Sequence, residues 1–320
     1  MAFQSGVATS ITDLWSKLKT FATGTLGWTE HGTAGTNPFG AVLSSPAGAY
    51  YGIGYNGIGA TDVINLCLTS GFTAGAAFSA QPGTSWLDPF QTTIGPIVFP
   101  TTAYWFFGEA EYFYFVIEDV PGQFWHGGIG TLTKTYSFSG GQFACGTLDY
   151  YSSSTTSPLS TSYYRGHQPL DSIRNYPFAV PTAQNQRRCN AMHLNGASGC
   201  MAYISWSSTY AWGSHLRNSA SAYPIEYSRA NNDYVGRTIL HPAWVIANGT
   251  WGGTAFNGLI GSAPNFANVN LKYIGGKSVL ALGSDDWYLF PIRKFNTSMA
   301  DVNSSEVSSG VLGMAYKRVD

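Results

Sequence analysis

The chain has 320 residues, of which 10% are charged and 15% aromatic, with 38 glycines and a formal net charge of −1 from 16 Lys plus Arg against 17 Asp plus Glu. Charged residues usually make up about a quarter of a globular chain, so this composition, poor in charge and rich in rings, excludes the disordered class. There is no basic block to give an electrostatic footprint for nucleic acid, and nothing favours an acidic substrate or an anionic membrane surface.

The length allows one large β domain or two smaller ones. Residues 1–10 carry neither a cationic stretch nor an apolar run of signal-peptide type. The longest near-apolar run, 104–117, is interrupted by Glu109 and Glu111 and falls short of the roughly 18–20 residues of a membrane span. The expectation is a chain made in the cytoplasm, without membrane insertion. Its Ser, Thr, Asn and Gly content nevertheless resembles that of an extracellular surface.

In chain order, the first element is helical: Ile11, Leu14, Trp15, Leu18 and Phe21 fall on one face. Thr9, Ser10 or Thr12 can cap its start and Gly24 is placed to end it, which predicts about 10–12 residues packed over a sheet. From there the pattern has period two. Strands are predicted at 49–53, 62–68, 105–107, 112–118, 124–125, 128–136 and 142–149. Pro121-Gly122 and Ser139-Gly140-Gly141 read as turns of a β-meander centred on Phe115 and Ile129, with one face buried and the other wet.

The stretch 151–237 opens in a Ser/Thr tract and holds Arg165, Arg174, Arg187, Arg188, Arg217, Arg229 and Arg237 among many Trp, Tyr, Asn and Pro, with little strand period. It reads as an irregular inserted lobe. Strand patterns resume at 244–246, 272–274, 278–282 and 287–290, and the chain closes on Gly310-Val-Leu-Gly-Met-Ala-Tyr-Lys-Arg318. The predicted fold class is therefore all-β, a meander-rich sandwich with a short N-terminal amphipathic helix. Residues 1–150 and 238–320 form two halves of the β domain around the lobe at 151–237.

Motifs of chemical interest are few. Gly52-Ile-Gly54-Tyr-Asn-Gly57 satisfies G-x-G-x-x-G, but a strand pattern follows where a dinucleotide site needs a helix, so a glycine-rich loop is expected. No window reads G-x-S-x-G, and no two of His31, His126, His167, His193, His215 and His241 have the helical spacing of a metalloprotease. The carboxylates that could pair as glycosidase acids are Glu109 with Glu111, Glu118 with Asp119, and Asp285 with Asp286, the last pair read as a turn. Cys67, Cys145, Cys189 and Cys200 are expected as buried small hydrophobes. A Cys189–Cys200 disulfide is the alternative, and Cys189, His193 and Cys200 lack the full spacing of a zinc site. No catalytic residue, metal or cofactor is expected.

A specific resemblance emerges from Tyr51-Gly-Ile-Gly54, Asn65-Leu-Cys-Leu-Thr-Ser-Gly71-Phe-Thr-Ala-Gly75 and Phe78-Ser-Ala-Gln81-Pro82-Gly83. It continues through Tyr104-Trp105-Phe106, the run Phe115 to Lys134 around Trp125-His126-Gly-Gly, and Phe138-Ser-Gly140-Gly141-Gln-Phe143. With Asp13-Leu-Trp-Ser-Lys-Leu-Lys-Thr-Phe21 before them and Leu289-Phe-Pro291 and Gly313-Met-Ala-Tyr-Lys317 after, these segments resemble a family of tailed-phage virion structural proteins. The resemblance covers 1–150 and 236–320. It implies a virion component made in the host cytoplasm, a structural subunit of tail or baseplate that binds other virion proteins and copies of itself. The alternatives are a host-surface glycan adhesin or fibre-associated protein, then a neck, collar or head-decoration protein, and last a glycan-degrading tail enzyme. His126 and its glycines are expected in a tight β-turn. The lobe is expected to make this protein's particular contacts, through Arg187, Arg188, Trp206, Tyr210, Trp212 and Tyr223, residue types that anchor interfaces.

Overall fold

A computed structural model describes residues 2–34, 39–58, 61–83, 92–147, 190–193, 201–203, 240–251, 254–271, 274–292 and 312–318. The chain begins with β1 (Ala2–Gly6) and α1 (Ile11–Thr20), which runs into a π-helical turn (Phe21–Thr25). Next come β2 (Thr29–Ala34), β3 (Phe39–Ser44), β4 (Tyr50–Ile58), β5 (Thr61–Thr69), a 3-10 turn (Phe78–Ala80) and β6 (Thr92–Ile97). The meander is β7 (Ala103–Glu109), β8 (Tyr112–Glu118), β9 (Phe124–Thr131), the short β10 (Thr133–Lys134) and β11 (Gln142–Gly146). Then follow β12 (Asn190–His193), β13 (Met201–Tyr203), β14 (His241–Trp251), β15 (Thr254–Asn270), β16 (Ser278–Leu282), β17 (Asp285–Pro291) and β18 (Leu312–Arg318).

These strands form three antiparallel sheets. The seven-stranded sheet, ordered β1-β7-β8-β9-β11-β12-β13, is the middle layer. On one side lies the five-stranded sheet β2-β3-β4-β5-β6 with α1, on the other the sheet β10-β15-β18-β17-β16 with β14 paired to β15. Side-chain alternation along β8 divides the core: Phe113, Phe115 and Ile117 join α1 and the five-stranded sheet, whereas Tyr112, Tyr114 and Val116 join Phe266, Phe290, Met314 and Tyr316 on the other side. All seven residues of β8 are buried. The expected wet face is therefore a second core, and it is why Tyr-Phe-Tyr-Phe-Val-Ile shows no polar alternation.

The partner strand β9 makes room for these rings. Tyr112, Tyr114 and Phe115 sit opposite Gly130, Gly128 and Gly127. A Cβ on Gly127 would lie 2.2 Å from the Phe115 ring, and one on Gly130 2.2 Å from the Tyr112 side chain. Phe113, not Phe115, pairs with Ile129, so the register differs by two residues from the expected centre.

Helix α1 forms as its sequence dictates. Ser10 Oγ accepts from the Asp13 amide at 3.1 Å, and the Asp13 carboxylate accepts from the Thr9 amide at 2.8 Å and from Lys17 at 2.7 Å, closing the first turn reciprocally. Ile11, Leu14, Trp15 and Leu18 are buried, and Trp15 Nε1 donates to the Ile53 carbonyl of β4. The helix is thus packed over a sheet. Its stop is Gly27, at φ +74°, rather than Gly24, which lies inside the π-helical turn.

Other expectations are corrected. The glycines of G-x-G-x-x-G lie on β4 itself, not in a loop, and a Cβ at Gly52 would lie 2.2 Å from Cys67 Sγ and 2.8 Å from the Phe78 ring. Segments 124–125 and 128–136 contribute to one continuous strand, β9, with β10 after it. Ile274 lies in a turn after β15, its amide donating to the Leu271 carbonyl, while 272–273 lie outside the described residues. Asp285 and Asp286 open β17, and the turn is made before them at Gly283, φ +65°. Within 151–237 the described residues are regular: β12 pairs with β11, and β13 with β12, extending the middle sheet.

Candidate functional site

The anticipated interface residues Arg187, Arg188, Trp206, Tyr210, Trp212 and Tyr223 lie outside the described residues, as do Cys189 and Cys200. Cys67 and Cys145 are buried free thiols, as expected. Burial pushes the Cys67 thiol up to about 12 and Cys145 well above its ordinary value.

Glu109 and Glu111, and likewise Glu118 and Asp119, are drawn apart by separate partners. Glu111 accepts from Ser45 Oγ at 2.7 Å and from the Ala47 amide at 3.0 Å, toward the five-stranded sheet. Glu109 accepts from Asn265 of β15, on the opposite side of the middle sheet. Glu118, 3% exposed, accepts from the Gly122 amide across the β8–β9 turn and pairs with Lys277 at 2.7 Å. Asp119 accepts from Trp125 Nε1 at 2.7 Å and from the Val98 and Val120 amides. Asp285 pairs with Lys317 of β18. Each of these groups has a structural bond that explains its placement. Among the described residues no group of three or more His, Cys, Asp or Glu converges as metal ligands.

His126 is not in a turn. It lies within β9 at 0% exposure, and its ring bridges two sheets: Nε2 donates to the Pro291 carbonyl at 2.8 Å, and Nδ1 shares a hydrogen bond of 2.7 Å with the Tyr316 hydroxyl. The Tyr316 ring stacks on His126 and on Phe107. Tyr112 and Tyr114 similarly reach the bend of β15: Tyr114 donates to the Pro264 carbonyl, and the Tyr112 hydroxyl accepts from Asn265, whose φ is +51°. Buried polar groups thus fix how the second outer sheet seats on the middle one.

Two surface features stand out. The first is the edge of the outer sheet at β16. Its sequence, Ser-Val-Leu-Ala-Leu, has no charge, and Val279 and Leu282 are 53% and 45% exposed. By strand parity Leu280 and Leu282 share one face with Asp285, Trp287 and Leu289, beside a buried apolar cluster of Ala267, Val269, Leu271, Leu289 and Ala315. Among the described residues β16 is paired on one side alone, by β17.

The second is an open cleft of about 400 Å³ where turns of the five-stranded and middle sheets meet. Tyr50, Ser70, Glu111, Lys134 and Gln142 are among the residues that line it. They come from five separate segments, so no spacing in the sequence brings them together, and only Glu111 stood out beforehand as a carboxylate.

Comparison of the chain with protein-family models and with curated proteins finds no match to either. Among the described residues no helix is long and apolar enough to cross a membrane.

Proposed function

We propose that this chain is an assembly subunit of a tailed-phage virion, in the tail or baseplate, and that the β16 edge is one of its contact surfaces. The observation that carries the reading is that edge, which is uncharged, apolar and exposed. Free edges offer unpaired backbone groups to any passing strand, and monomeric proteins blunt them with Lys, Pro or bulges. Here none of those devices is present within β16. The occupant is a second copy of this chain, which meets no net-charge barrier at −1 and can add its own strand to the ladder. The order of motifs along the chain, which resembles that of virion structural proteins, supports the same reading. Glu118, Asp119, Asp285 and Asp286 then serve packing rather than chemistry.

Electron microscopy of the intact particle tests this. The expected density shows repeated copies in the tail or baseplate, with β16 against a neighbouring copy. Purified particles that lack the chain, or a β16 edge facing solvent in them, would overturn it.

A further inference from the structure

We propose that the cleft lined by Tyr50, Ser70, Glu111, Lys134 and Gln142 binds a neutral carbohydrate chain. This inference does not rest on the assembly reading.

The cleft is built by rigid parts. The Ser45–Gly48 turn is closed by the Ser45 amide on the Ala49 carbonyl and the Gly48 amide on the Ser45 carbonyl, both at 2.8 Å. Glu111, from the β7–β8 turn, clamps that turn through Ser45 Oγ and the Ala47 amide. Across the cleft, Lys134 donates to the Phe138 carbonyl at 2.8 Å with its ammonium 4.7 Å from the Phe138 ring, and burial lowers its pKa. Its volume of about 400 Å³ lies within the range of small-ligand sites, roughly 300–1,000 Å³.

Three properties select the ligand class. The lining carries one carboxylate and one ammonium, so the site has no net charge with which to prefer an anion or a cation. It offers both hydrogen-bond senses. A carboxylate oxygen has about two acceptor sites, so each oxygen of Glu111 keeps one beyond its clamp. Lys134 keeps donors beyond its bond to Phe138, and Ser70 is exposed and carries a hydroxyl that both gives and accepts. A polyol, whose every hydroxyl is donor and acceptor, matches such a mixed lining. Finally, half-buried Tyr50 joins His31, 4.9 Å away, and Phe72 in an aromatic cluster, with the His31 ring anchored to Ser44 Oγ at 2.8 Å. Flat rings beside polar groups suit the C–H faces of a sugar ring. The cleft is open at its mouth, which admits an internal stretch of a polymer as well as an end.

The experiment uses the full chain and four probes, maltohexaose, cellohexaose, chitohexaose and mannohexaose, read by saturation-transfer NMR and calorimetry. At least one is expected to bind, with affinity reduced tenfold or more by Tyr50→Ala and by Lys134→Ala, and largely kept by Tyr50→Phe, which retains the ring. Melting of each variant beside the parent protein separates loss of binding from loss of fold. Binding of none of the four at millimolar concentration would overturn the proposal. So would binding that both alanine variants leave unchanged, or selective binding of a zwitterion such as glycine betaine in their place.

Discussion

Residue by residue, the buried aromatic rings among the described residues gather mainly in two packed seams, one on each face of the middle sheet. Phe115 and Ile129 are both fully buried in the seam under α1. Phe115→Ala and Ile129→Ala are each expected to cost about 2–5 kcal/mol in urea unfolding, because the sites are enclosed and can collapse only partly. An unchanged midpoint for either would contradict the assigned core. At the second seam, His126→Phe should cost about 1–3 kcal/mol, since it leaves the Pro291 carbonyl and the Tyr316 hydroxyl without this partner in an apolar interior. The parallel change Tyr316→Phe tests the same bond from its other end. The thiols give a third check: burial pushes Cys67 up to about 12 and Cys145 well above its ordinary value, which keeps both in the unreactive thiol form. Peptide mapping after iodoacetamide treatment should find these two cysteines unmodified in the folded protein and alkylated after denaturation.

Element by element, the sequence was most legible where strands are interior and aromatic. The bounds of β8 and β16 match their predicted ranges, and the helix face of Ile11, Leu14, Trp15 and Leu18 is the buried one. The strands β1 and β2 went unseen because they are edge strands: Ala-Phe-Gln-Ser-Gly and Thr-Glu-His-Gly-Thr-Ala carry little apolar alternation, and their ladder bonds are supplied by β7 and β3. The long strand β15 hides behind Gly258, Gly261, Pro264 and Asn265, breaker residues that here mark a bend held by Tyr112 and Tyr114 rather than an end. The cleft was invisible for another reason, since its lining is assembled by turns from five segments. For α1 the account predicts that Ser10→Ala lowers stability by about 1 kcal/mol and loosens the first-turn amides in hydrogen exchange. Its pH dependence has a definite sign. The hydrogen bond from Lys17, with that from the Thr9 amide, holds the Asp13 carboxyl below the usual carboxylate range. A depressed folded-state pKa stabilises above the unfolded value and is lost as pH falls through the folded one. Protection of the first turn should therefore fade on acidification below about pH 4, and Asp13→Asn should remove that part of the pH dependence.

At the scale of the molecule, three stacked sheets bury both faces of the middle one, leaving the outer sheets to meet the surroundings. The face of β17 and β18 turned away from the middle sheet carries its own buried apolar cluster, and Leu280 of β16 packs at its margin. The missing charge on this edge and the exposure of Val279 and Leu282 favour self-association through β16. Sedimentation velocity of the purified full chain across a concentration series, beside the double variant Val279→Lys with Leu282→Lys, tests it most directly. Concentration-dependent oligomers are expected for the parent chain, and a monomer of equal melting temperature for the variant. A parent chain that stays monomeric at high concentration, or a variant that associates as the parent does, would contradict it.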